Sequence, residues 1–177
     1  MKTEEQAINQ AALRVAKHNA DRAREAMTEA EIAADLAIKE AQKANEADAT
    51  GRAGSTGYHA YEALEAADRS AEAARRASRF ARYAQEAAEW SAPESPEAAE
   101  ATATATEAIE YAQAAERAAE KAHRKTAQAE TQQVAVTISS IANEAENTYQ
   151  AHDLLERAAN GQSGQTIDEI AEATIKK

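Results

Sequence analysis

Residues 98–122 read AAEATATATEAIEYAQAAERAAEKA, and within them alanine recurs at Ala98, Ala101, Ala105, Ala108, Ala112, Ala115, Ala119 and Ala122. Steps of three and four residues keep these positions on one face of an α-helix. Coiled-coil seams of this spacing usually carry leucine. Methyl-sized knobs instead let two helices approach to the low end of the roughly 8–10 Å interaxial range, because nothing bulky holds them apart. The stretch therefore specifies close helix packing, and it carries no group that could act on a substrate.

Two other segments obey the same rule. The first has the seam Ala16, Ala20, Ala23, Met27, Ala30, Ala34, Ala37, Ala41 and Ala44, with Leu13, Ile32, Leu36 and Ile38 widening its apolar face. The second repeats alanine at Ala60, Ala67, Ala74, Ala81 and Ala88, with Ala63, Ser70, Ala77 and Ala84 between. Alanine supplies most of the 44% hydrophobic fraction. Its burial returns little at about 25 cal/mol per Å², so helix propensity must carry much of the stability. Alanine, glutamate, glutamine, lysine and arginine are the strongest helix formers. Almost no β-structure is expected.

Five glycines and two prolines fall in three clusters, Thr50–Gly57, Ser91–Pro96 and Asn160–Gly164, and everything between them reads as helix. A Thr3-x-x-Gln6 capping box is expected to open the first helix. Ser95 as N-cap, Pro96 at the first helical position and Glu97 in the first turn open the third. The predicted architecture is all-α: an elongated antiparallel helical bundle or coiled coil with alanine-zipper packing, its helices covering about 3–48, 58–90 and 96–160. Residues 1–160 form the bundle, and residues 161–177 a loop plus a short docking helix opened by Thr166-x-x-Glu169, with Ile167 and Ile170 on its face.

At 1.5 Å per residue the three helices span about 70, 50 and 95 Å, so the third outruns the other two. Beyond Gln133 its seam shifts by one position to Val134, Ile138, Ile141, Ala145, Thr148, His152, Leu155 and Ala159. Such a stutter turns the apolar face around the helix and marks a change of partner. Either the chain breaks near 131–133 and folds back as a fourth helix, or it continues and a second subunit covers the stripe. The absence of glycine and proline there favours continuity. Val134, Ile138, Ile141 and Leu155 are accordingly candidate self-association residues, with a homodimer as the assembly expected.

The net charge of −11 argues against nonspecific binding to nucleic acid or to an anionic membrane surface. Seven basic and ten acidic residues precede Gly51, six of each lie between Gly51 and Ser91, and seven basic face fifteen acidic residues thereafter. There is no cysteine. No stretch approaches the roughly 20 apolar residues of a membrane span, and Met1–Gln10 lacks the apolar run of a signal peptide. A cytoplasmic location is the default expectation, with export by a route lacking a cleaved signal left open.

Four features could carry chemistry. Glu120 and His123 have the Glu-x-x-His spacing of di-iron carboxylate bundles, but such a site needs a second copy, and His18, His59 and His152 have no glutamate three residues before them. Tyr58, His59 and Tyr61 could flank a small ligand or simply plug a helix end. The histidines have no serine or cysteine nucleophile in a recognisable elbow. No catalytic residue, metal or cofactor is therefore assigned. The fourth feature is the segment holding Arg75, Arg76, Arg79, Phe80, Arg82, Tyr83 and Trp90. Phe80, Tyr83, Ala87 and Trp90 make a stripe about 100 degrees from the alanine seam, and aromatic rings with arginine are enriched at protein interfaces. The competing reading is internal packing with four-residue ion pairs at Glu65–Arg69, Glu72–Arg76 and Arg82–Glu86.

The phrase from Ala66 to Ser78, AADRSAEAARRAS, within Ala63–Ser91, resembles the alanine-rich helical stalk and spacer regions of actinobacterial polymorphic toxins, and Ala114–Glu130 continues the likeness. It covers about half of the chain and rests on composition and heptad spacing. The resemblance implies scaffolding or partner recruitment and carries over no catalytic residue. The expectation is thus a non-enzymatic structural or protein-binding module (scaffold, stalk or adaptor) that engages another protein through the arginine and aromatic stripe. The alternative is an acidic inhibitor or immunity-type protein that occludes a basic surface through Glu97, Glu100, Glu107 and Glu110.

Overall fold

A computed structural model describes the backbone of residues 2–159 and the side chains of residues 4–150. It contains three helices among those residues, α1 (Lys2–Ala49), α2 (Ala53–Glu89) and α3 (Pro96–Ala159), and no strand. The chain divides into two units, Met1–Gln133 and Val134–Lys177.

The first unit is a three-helix bundle whose register is fixed by polar contacts. Across α1 and α2, Glu29 meets Arg76, Ala30 meets Ser70 and Glu40 meets His59, so the two run antiparallel. Ser78 meets Glu116 between α2 and α3. Lys17 meets Glu100, and Asn45 meets Gln132, so α1 and α3 run parallel. All eight alanines of the Ala98–Ala122 seam are buried, and the seam extends to Thr126 and Ala129. The α1 seam is buried too, except that Ala26 takes the inward position expected of Met27, which lies half-buried against the core. Helix α2 buries Ala66, Ala73 and Ala87 besides its seam, of which Ala88 is only half-buried, because it faces both neighbours. The core is built almost wholly from methyl groups, as propensity and spacing require.

Several local expectations change. Helix α1 already includes Lys2, so Thr3 is not its N-cap. Helix α2 starts at Ala53 rather than Tyr58, because the reversal needs only one special residue. Gly51 sits at φ 69, its N–H donates to the Asp48 carbonyl at 2.9 Å, and the Arg52 N–H donates to that of Ala47 at 2.9 Å. This is a Schellman ending, in which the left-handed residue lets orphan carbonyls of the last turn find donors. Gly54 and Gly57 are absorbed into α2. Leu13 and Ile38 are half-buried, whereas Ile32 and Leu36 face solvent, 66% and 38% exposed, since alanine fills most of the inward face. At the other turn Ser95 acts as the expected N-cap, its Oγ accepting from the Ala98 N–H at 3.0 Å.

Helix α3 is helical throughout from Pro96 to Ala159, with no interruption at 131–133. In the second unit the described side chains belong to its 134–150 segment, where all are exposed but the half-buried Val136. Val134, Ile138 and Ile141 are 54%, 61% and 62% exposed. The side chain of Leu155, the Asn160–Gly164 loop and the Thr166–Glu169 helix lie outside the described residues.

Candidate functional site

Helix α2 turns the residues around Phe80 in two directions. Phe80 packs on the alanine core with the Arg22 guanidinium 5.4 Å from its ring centroid. Arg76 reaches across to bond Glu29 on α1 and so leaves the expected Glu72 pairing. The other two pairs form, Arg69–Glu65 at 3.9 Å and Arg82–Glu86 at 3.3 Å. Arg82 also lies over the Tyr83 ring at 5.5 Å. Tyr83 is 42% and Trp90 64% exposed, the latter at the C-terminal end of α2. Arg75 and Arg79 are exposed. The stripe predicted as one surface is thus an inward pair, Arg76 and Phe80, and an outward set.

Arg75 and Arg79 line a solvent-open groove of about 1040 Å³ between α2 and α3. Its floor is Ala71, Ala74 and Ala119; Glu116, Glu120, His123 and Arg124 form the opposite wall. Ser78 Oγ donates across it to Glu116 Oε1 at 2.8 Å. Small floor residues bring the helix backbones together yet leave the outer groove wide, which the sequence reading did not anticipate. Glu120 and His123 fall in this groove, and no group of three potential metal-ligating side chains occurs among the described residues.

The second polar cluster sits near the α1–α2 turn. Glu40 is buried; Lys43 Nζ donates to its Oε1 at 2.7 Å, and His59 Nδ1 lies 2.7 Å from its Oε2. A carboxylate only accepts, so the His59 proton in this bond is on Nδ1. Burial by itself pushes the Glu40 carboxyl up, but the hydrogen bonds from Lys43 and His59 outweigh it and hold the group below the ordinary carboxylate range. Tyr58 packs edge-on against His59 with ring centroids 5.2 Å apart, and Tyr58 and Tyr61 are exposed.

No family model, curated protein or solved structure matches this chain.

Among the other polar residues buried in the bundle, Ser70 and Asn9 join one part of it to another, whereas Thr56 and Thr126 bond back to the chain one turn earlier. Ser70 Oγ donates to the Ala30 carbonyl at 2.8 Å, Thr56 Oγ1 to that of Arg52 at 3.1 Å and Thr126 Oγ1 to that of His123 at 3.2 Å. Asn9 Oδ1 accepts the Ala92 N–H at 3.0 Å, tying the start of α1 to the α2–α3 loop. Asn9 was legible in principle, because stepping back from Ala16 by four and three gives Ala12 and Asn9. Glu40 was not, since its partner His59 lies 19 residues away and meets it only through the antiparallel register.

Proposed function

We propose that this chain is a non-enzymatic structural and protein-binding module, a scaffold, stalk or adaptor that works in the cytoplasm and presents the outer face of α2 to another protein. The observation that supports this most is how its buried polar side chains are used. Asn9, Glu40 and Ser70 bond across to another part of the bundle and hold it in register, and Thr56 and Thr126 bond back to the chain one turn earlier. The contact residues of this reading are Arg75, Arg79, Arg82, Tyr83 and Trp90, with Arg76 and Phe80 supporting them from the core side. Exposed rings beside guanidinium groups are the side chains that most often anchor protein interfaces. The likeness to toxin stalk regions points the same way. Among the described residues no helix is long and apolar enough to cross a membrane.

The acidic-inhibitor alternative is favoured by one feature, the exposure of Glu107 and Glu110 on the first half of α3. The test is capture of a partner from an extract of the source cells by the full chain, compared with Tyr83→Ala plus Trp90→Ala and with Glu107→Gln plus Glu110→Gln. Loss with the aromatic pair, at an affinity that changes little between 0.1 M and 0.5 M salt, supports the module reading. A complex lost with the acidic pair and steeply weakened by salt supports the inhibitor.

A further inference from the structure

The apolar stripe on α3 beyond the bundle differs from every other seam of the molecule in three ways. Its residues are Val134, Ile138 and Ile141 in place of alanine, and all three are more than half exposed. Extending the buried seam from Thr126 and Ala129 by the same steps leads to Gln133, Val136 and Ser140; Val134 and Ile141 each follow such a position by one residue and Ile138 follows Val136 by two, so the stripe lies on a different face of the helix. It also sits in Thr131–Asn143, thirteen consecutive residues without a charge, the longest such run in the chain.

We propose that this stripe packs against the same stripe of a second copy of the chain. Charge selects the occupant. The chain carries a net −11, so two copies repel over much of their surface, and the uncharged run is where they can approach without opposing carboxylates. A basic partner, by contrast, would find no carboxylate in the run and would meet Lys121, Arg124 and Lys125 on its N-terminal side. Branched Val and Ile at heptad positions are the side chains that fill a coiled-coil interface at ordinary helix separation. Covering them removes from water the apolar surface that isolated chains leave exposed. The contact is separate from the α2 face, so it stands or falls apart from the function proposed above.

The test is the mass of the intact chain by light scattering over a dilution series, for the wild type, for Ile138→Asp with Ile141→Asp, and for Ile138→Ser with Ile141→Ser. Circular dichroism checks that each remains helical. The wild type is expected to reach twice its 18.9 kDa mass at tens of micromolar. Both double variants are expected to raise the dissociation constant by about 100-fold while keeping their helicity. Raising the salt should leave the wild-type dimer unchanged or tighten it, because screening relieves repulsion between two acidic chains. A wild type that stays monomeric at the highest concentration, a dimer that the uncharged serine variant leaves intact, or a dimer dissolved by salt would overturn the proposal.

Discussion

Ala108 and Ile138 lie on the same helix, thirty residues apart, and show what side-chain size does to an apolar position. Ala108 is fully buried in a seam of methyl groups, whereas Ile138 is 61% exposed. In the bundle the inward positions of three helices are filled by the smallest apolar residue that still favours helix, so the backbones meet closely and larger apolar groups such as Ile32 are left outside. Beyond Gln133 the pattern inverts: larger side chains take the seam spacing, and Val134, Ile138 and Ile141 are all more than half exposed. Spacing alone would read the two regions as equivalent; the volume of the residue at each step separates a face built for close intramolecular packing from one built for another helix at ordinary distance.

The most damaging change should be enlargement of the buried seam. Ala108→Leu forces four-carbon bulk between helices that touch through methyls, and should cost about 3 kcal/mol or more, read as a large drop in thermal midpoint. Next comes the polar cluster at the α1–α2 turn. Glu40→Gln removes the charge that Lys43 and His59 both serve and should cost about 2 kcal/mol at neutral pH. The sign with pH follows from the direction of the shift. A carboxyl held below its ordinary range contributes stability that is present above that range and lost as pH falls through its folded-state pKa. Denaturant titrations should therefore show the gap between wild type and Glu40→Gln closing on the acid side; a gap that stays constant down to strong acid would remove Glu40 from the account.

Smaller effects sharpen the contrast further. Gly51→Ala should cost about 1 kcal/mol, an effect of φ alone, because nothing lies within 4 Å of the added Cβ. Ser70→Ala fits the alanine seam sterically and removes only the bond to the Ala30 carbonyl, so about 1 kcal/mol is expected in chemical unfolding. Ala145→Leu, at an exposed seam position of the 134–150 segment, should leave bundle stability within about 0.5 kcal/mol of wild type. A loss there as large as that of Ala108→Leu would erase the distinction between the two regions.

The all-helical bundle was legible because alanine spacing and helix propensity agree over every long segment, and because Ser95-Pro96-Glu97 is an unambiguous start. The α2 start was misplaced because three glycines in one cluster look alike in sequence, while only Gly51 needs a positive φ. The split of the arginine and aromatic stripe was hidden for a different reason. Arg76 could pair with Glu72 on its own helix or with Glu29 on α1, and only the interhelical register decides between them. The α2–α3 groove was not legible because alanine spacing describes how closely two helices meet, whereas the small residues on the groove's floor open it at the surface.

Hydrogen exchange of the full chain, followed by mass spectrometry at several protein concentrations, tests most directly the claim that one helix carries two seams of different purpose. Amides between Ala12 and Ala129 should be strongly protected at every concentration, because their packing is internal. Amides of Val134–Gln150 should exchange quickly in dilute solution and slow as concentration rises and the stripe finds its second copy. Protection that is the same in both regions and independent of concentration would contradict the account.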